Sequence, residues 1–228
     1  MKAKDVMTSP VITVTADTAV ADVAALLLER RISGAPVVEP DGRLVGIVTE
    51  GDLLHRAETG TERRRSRWLE LITGRGASAS DFVKSHGRRV ADVMTRPVHA
   101  VGPDTELAEI ASLMERERIK RVPVCEDGRI VGIVSRANLL HGLVAYRHGQ
   151  AEPLPSGDDE IRRHLTEQLA HEHWINANKI NIVVAGGVVH LWGEVENDEQ
   201  RRALRVAAES VPGVRGVEEH LHRHRWVE

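Results

Sequence analysis

"GIVTEGDLL", Gly46 to Leu54, returns later in the chain as "GIVSRANLL", Gly132 to Leu140. Each copy ends an apolar run at a hydroxyl, Thr49 or Ser135, and places Asp52 or Asn138 three residues on. Outward from these segments the match grows to "DVMTSPVITVTADTAVADVAALLLERRISGAPVVEPDGRLVGIVTEGDLL" (Asp5–Leu54) and "DVMTRPVHAVGPDTELAEIASLMERERIKRVPVCEDGRIVGIVSRANLL" (Asp92–Leu140). A single deletion separates them, at the turn "EPDGR" against "EDGR". Such self-similarity marks a duplicated supersecondary unit.

Both copies read alike. A short extended segment, Val11–Val14 or Val98–Val101, follows "DVMT". "ADT" or "PDT" then offers an Asp or Thr N-cap for an amphipathic helix. Val20, Val23, Ala24, Leu27 and Leu28 recur at helical spacing in the first copy, and Leu107, Ile110, Ala111 and Met114 in the second. Two strands with an Asp-Gly turn come next, and a second helix starts at Glu50 or Arg136. One unit is β-α-β-β-α, with too little sheet to bury both faces alone; two units can cover each other.

Composition limits the function classes. The chain has 228 residues, 41% hydrophobic and 29% charged, with a net charge of −3. This balance gives no global attraction to nucleic acid, and none is expected as a partner. The single cysteine, Cys125, excludes an intramolecular disulfide framework and reads as a small core residue in "VPVCE". No secretory signal is visible, and Asp22 interrupts the best apolar run, "AVADVAALLL". The expectation is a soluble cytoplasmic protein. No H-E-x-x-H, G-x-S-x-G or Walker loop points to an enzyme.

The paired motif admits two readings. Thr49 sits where a strand passes into a helix, and a helix N-terminus favours phosphate. Asp52, in the first turn, can accept from both hydroxyls of a ribose. The same residues suit plain helix capping, with Thr49 and Ser135 as N-caps. The copies differ: Asn138 is neutral and accepts only through its carbonyl oxygen. Lys120, Arg121 and Arg136 stand where the first copy has Ser33, Gly34 and Glu50, and could hold phosphates or form a solvated basic edge.

Between the copies, "ERRRSRWLELI" reads as a surface helix with Trp68, Leu71 and Ile72 inward, and "GRGASAS" as a loop. Past the second copy, "AEPLPSGD" has linker composition, across which few contacts are expected. A helix over Glu160–Leu169, two strands around Gly186-Gly187, a helix opened by Asn197 or Asp198 and a last strand then read as α-β-β-α-β. "HLHRH" puts His220, His222 and His224 on one strand face, and "HEHW" adds His171 and His173. Without a nearby cysteine or a diagnostically spaced acid these read as exposed strand histidines, and no metal is expected.

The duplicated pattern resembles the CBS domain, named after cystathionine β-synthase, and the pair resembles a Bateman module, over about residues 1–150. It rests on the two "DVMT" segments, on "RISGAPVV" and "RIKRVPVC", and on the paired "GIV(T/S)xx(D/N)LL". The resemblance implies a mixed α+β pseudo-symmetric pair that binds AMP, ADP, ATP, NAD or S-adenosylmethionine as a regulatory ligand in clefts between the repeats, with no resident cofactor. It implies ribose and phosphate contacts at Thr49, Asp52, Ser135 and Asn138. An adenine pocket would use Ile12, Thr13 and the "SGAPV" backbone around Ala35 and Pro36, with His99, Ala100, Val122 and Pro123 as counterparts. It also implies a disc-like homodimer.

The C-terminal segment resembles a BON domain, through "INIVVAGGVVHLWGEVENDEQRRAL" and "AAESVPGVRGVEEHL" with Gly187, Gly193, Gly213 and Gly216 in the family's pattern. Relatives in the cell envelope associate with phospholipid, so membrane contact stays open, with a protein-interaction role ranked above it. The expected layout is a first repeat at 1–56, a connector at 57–89, a second repeat at 90–150, a linker at 151–157 and the BON domain at 158–226. The leading function is a non-catalytic ligand sensor, and the alternative is a constitutive interaction or membrane scaffold.

Overall fold

The computed structural model describes residues 1–54, 56–61, 82–148 and 157–223, with the side chains of 146–148 left out. The helix expected around Trp68, the "GRGASAS" loop, nearly all of the linker, His224 and Trp226 lie outside the described residues. The labelled elements begin with α1 (Ala3–Val6), α2 (Val20–Arg30), β1 (Gly34–Val38), β2 (Leu44–Thr49), α3 (Glu50–Leu53) and α4 (Val90–Val93). Then follow α5 (Leu107–Arg116), β3 (Arg121–Glu126), β4 (Arg129–Ser135) and α6 (Arg136–His148). The last are α7 (Gly157–Ala170), β5 (Ile180–Ala185), β6 (Val188–Val195), α8 (Asp198–Glu209) and β7 (Gly216–Arg223). This is the mixed α+β chain expected. Among the described residues no helix is long and apolar enough to cross a membrane.

The chain divides into two units that cut across the order of the repeats. One holds Ile12–His99 with Asp127–Ile130; the other holds Met1–Val11, Ala100–Glu126 and Val131–Glu228. Each "DVMT" segment is therefore built into the other repeat's unit.

In the first unit β1 and β2 pair antiparallel, and Val14 joins β1 by a parallel bridge to Val37. Val20, Val23 and Leu27 of α2 pack on Ala35, Val37 and Val48. The register shifts between Val37, opposite Gly46, and Val38, opposite Leu44, which leaves Val45 as the extra residue of a bulge. The α4 segment closes this core: Val90 and Val93 are fully buried in it, and Thr95 bridges Ile47. A Cβ on Gly46 would overlap the Met94 sulfur, so the strand glycine makes room for that methionine.

The second unit repeats this plan with the exchanged partner. Val101 bridges Val124, and Ile110 and Met114 of α5 pack on Val122, Val124 and Val134. Ala3 and Val6 of α1 are fully buried here, Thr8 bridges Ile133, and Met7 occupies the space opened by Gly132. Burying Val6 alone contributes about 1.5–3 kcal/mol.

Neither amphipathic helix is capped as "ADT" and "PDT" suggested. The N-caps are Ala19 and Glu106, without side-chain cap bonds. The threonine hydroxyls accept one step earlier instead, Thr18 from the Thr15 N–H and Thr105 from the Gly102 N–H, and so close the turns that aim the helices.

The same unit contains the C-terminal α-β-β-α-β segment. Its sheet runs β5-β6-β7, with β5 antiparallel and β7 parallel to β6. Gly186 and Gly187, at φ 59° and 78°, make the tight hairpin, and the Asp158 carboxylate accepts from both their N–H groups at 2.8 Å. One sheet face carries Ile180, Ile182, Val184, Leu191 and Leu221 against α7 and α8, where Asn197 is the N-cap. The opposite face is covered as well. Val183 is fully buried among Ala3, Val6, Ile110 and Ala145, with Ala185 and Trp192 packed alongside. Contrary to the linker expectation, the second repeat and the last segment share a core.

Candidate functional site

Backbone register brings six of the residues singled out in the first repeat to one strand end. The Val14–Val37 bridge sets Ile12 and Thr13 beside Ala35 and Pro36 at one strand end, and the Pro36 carbonyl accepts from Val14 N–H at 3.0 Å. Gly34 pairs with Thr49 and Ala35 with Val48, which carries β2 to the same end. Asp52 then lies in the first turn of α3, where the Ser33 carbonyl accepts from Glu50 N–H at 3.2 Å.

The Asp52 carboxylate is already partnered. Its Oδ2 accepts from the Thr49 N–H at 2.8 Å and the Thr49 hydroxyl at 2.7 Å, the reciprocal capping arrangement. Its Oδ1 accepts from the exposed Thr95 hydroxyl at 3.0 Å. Thr95 belongs to the "DVMT" of the other repeat. Three bonds leave a carboxylate with roughly four acceptor positions one position open, and a second becomes open if Thr95 turns away.

Asn138 occupies the matching position in the second repeat with a different balance. Its Oδ1 accepts from the Ser135 N–H at 2.8 Å and the Ser135 hydroxyl at 2.6 Å. Its Nδ2 donates to the Val6 carbonyl at 2.8 Å and to Thr8 Oγ1 at 3.2 Å. Only 3% of Asn138 is exposed, and all four bonding positions of the amide are used within the protein. An aspartate could not donate to Val6, which is the physical reason for the amide.

The other expected residues fall as follows. Val122 and Pro123 are buried on β3, and the Pro123 carbonyl accepts from Val101 N–H, next to the exposed Ala100. Lys120 and Arg136 are exposed and joined through their backbone, with Arg121 half-buried between strand and solvent. His99 is exposed and belongs to the first unit, whereas Ala100 belongs to the second. Burial pushes the Cys125 thiol up, away from the thiolate form.

Comparison with known proteins fits this geometry. The CBS domain model matches residues 3–58 and 90–145. The uncharacterized protein MJ1426 of Methanocaldococcus jannaschii is 35% identical over 155 residues, which are 63% of this chain and 92% of that protein. The chain belongs to the CBS domain family. A BON domain follows the two CBS repeats, matched over residues 157–223. The chloroplastic CBS domain-containing protein CBSX1 of Arabidopsis thaliana is 32% identical over 129 residues, 54% of this chain and 55% of the plant protein, so the chain spans about half of that relative. The structure of CBSX2 in complex with AMP is 29% identical, covers 63% of this chain and 96% of its own, and superposes with a TM-score of 0.54.

One cluster escaped sequence reasoning. His190 on β6 lies opposite Glu218 on β7, and His220 follows two residues on, on the same face. "HLHRH" was legible as a strand of alternating histidines, but His190 comes from another strand, and only the parallel register of β6 and β7 joins them.

Proposed function

We propose that the CBS pair is a non-catalytic regulatory module that binds an adenine nucleotide or related adenosyl ligand, with the BON domain as its interaction module. The observation that carries this reading is the strand end of the first repeat, where Ile12, Thr13, Ala35, Pro36, Thr49 and Asp52 converge. Ile12 and Thr13, with the backbone around the buried Ala35 and Pro36, would flank the flat base, and Asp52 would take the ribose hydroxyls in exchange for Thr95. The complex of CBSX2 with AMP supports the ligand class. In the second repeat Ser135 and Asn138 act mainly through the frame they build, while Lys120, Arg121 and Arg136 supply positive charge for phosphates.

Homodimerisation through the repeats belongs to the same reading. Leu54 and its counterpart Leu140 are each 62% exposed, the kind of apolar surface that a second copy covers. The alternative, a constitutive interaction or membrane scaffold, predicts no ligand response. A thermal-shift screen with AMP, ADP, ATP, NAD and S-adenosylmethionine separates the two. A ligand at 100 times its Kd stabilises the native state by about 2.7 kcal/mol, and a flat response to all five would exclude the sensor.

A further inference from the structure

We propose that His190, Glu218 and His220 form a site for one divalent transition-metal ion, zinc being the best fit. The three side chains project from one face of the BON sheet, where β6 and β7 run parallel and set His190 directly across from Glu218. Nδ1 of His190 lies 3.5 Å from Glu218 Oε2, and Nε2 of His220 lies 3.8 Å from the same oxygen. All three ligand atoms fall within 4.8 Å of one another. Two ligands of a tetrahedral zinc ion, each about 2.0–2.2 Å from the metal, are about 3.3 Å apart. The carboxylate–imidazole gaps are thus close to what an ion would bridge, and small rotations of Glu218 and His220 bring in the third ligand.

Burial and chemistry agree with this. His190 is fully buried, so its ring is held in place, while Glu218 and His220 are partly exposed and leave a path for the ion and its remaining water. Two imidazoles and one carboxylate suit zinc, cobalt or nickel, whereas magnesium and calcium favour oxygen ligands. The carboxylate also offsets half the charge of the ion.

The site is tied to the second CBS repeat through stacked rings. His220 stacks on Trp192 at 3.8 Å between centroids, and Trp192 stacks on His141 of α6 at 4.2 Å. Nδ1 of His141 and Oδ1 of Asn181 are 3.1 Å apart, and Nδ2 of Asn181 donates to the Val6 carbonyl, the acceptor that Asn138 also uses. An ion that fixes His220 therefore fixes the end of a column reaching the core of the repeat.

The test uses the tag-free full chain, stripped with chelator and titrated with zinc chloride by calorimetry, with cobalt absorption as a report on coordination. The expected result is one ion per chain and tetrahedral cobalt bands. Glu218→Gln and His220→Gln each weaken binding by about 10-fold or more, whereas the double variant His171→Gln/His173→Gln leaves it unchanged. Both ligand variants alter partly exposed side chains, and thermal melts of the stripped proteins establish that they fold. Absence of saturable zinc binding by the folded wild type, or wild-type affinity in both ligand variants, would overturn the proposal.

Discussion

The Asn138 amide donates to the Val6 carbonyl at 2.8 Å, a bond between residues 132 positions apart in the chain. Its counterpart, Asp52, accepts from the Thr95 hydroxyl instead. The two positions are equivalent in sequence and opposite in hydrogen-bond polarity.

Exchanging them is therefore not symmetric. Asp52→Asn keeps an oxygen for both Thr49 donors, and the Thr95 hydroxyl can reverse to accept; the expected cost is below about 1 kcal/mol. Asn138→Asp sets a buried carboxylate against the Val6 carbonyl, and the expected loss is about 3 kcal/mol at neutral pH. Urea unfolding of both variants checks this, and equal losses would refute the polarity argument.

Ligand affinity should follow the first repeat. Asp52→Ala is expected to weaken AMP binding by about 10-fold or more, since a charge-assisted contact is lost. Thr95→Val removes the hydroxyl that competes for Oδ1 and should leave binding equal or tighter. Calorimetry with AMP decides; a Thr95→Val protein that binds as weakly as Asp52→Ala would show that the hydroxyl itself contacts the ligand.

Arg162 joins three segments. From α7 its guanidinium donates to the Ile182 carbonyl at 2.9 Å and to the Met7 carbonyl. Burial pulls its pKa down, opposed by Asp5 and Asp159. Arg162→Met keeps much of the packing and removes both charged donors, so a loss of about 2–3 kcal/mol in urea unfolding is expected. A change within about 0.5 kcal/mol would mean that water replaces the guanidinium at both carbonyls.

His141 sets a pH dependence. Burial lowers its pKa below the ordinary 6.5, partly opposed by the bond to Asn181 and reinforced by His220. The unfolded chain then binds the proton more readily. Stability from this group is full above about 6.5 and is lost as pH falls from there through the folded-state value. An NMR titration of chelator-treated protein should place the His141 transition below 6.5, and a transition above it would reverse the sign.

The repeats, the tight hairpins and the C-terminal element order were legible because periodicity and turn chemistry are local. The exchange of the "DVMT" segments was not. Met7 and Met94 follow identical residues and face identical "GIV" glycines, so nothing local decides which glycine each one meets; chain connectivity does. The threonine caps were misplaced because Thr18 and Thr105 serve the preceding turn as readily as the helix. For the BON sheet a signal was present. "INIVVA" is nearly continuous in apolar residues, and its strand is buried on both faces, whereas a sheet with one solvated face alternates. His190 and Glu218 form a cross-strand pair, and no spacing rule within one strand reveals such pairs.

The exchanged segments also bear on synthesis at the ribosome. When Asp52 leaves the exit tunnel, the first repeat still lacks Val90 and Val93, which complete its core. Ala3 and Val6 wait longer, since their partners extend to Ala145 and Val183. The first amino acids made are thus among the last to find their place, and a nascent chain halted between these points carries exposed apolar surface. Dependence on chaperones should be greatest while roughly the middle third of the chain is being made, and should fall once the sheet that contains Val183 has emerged.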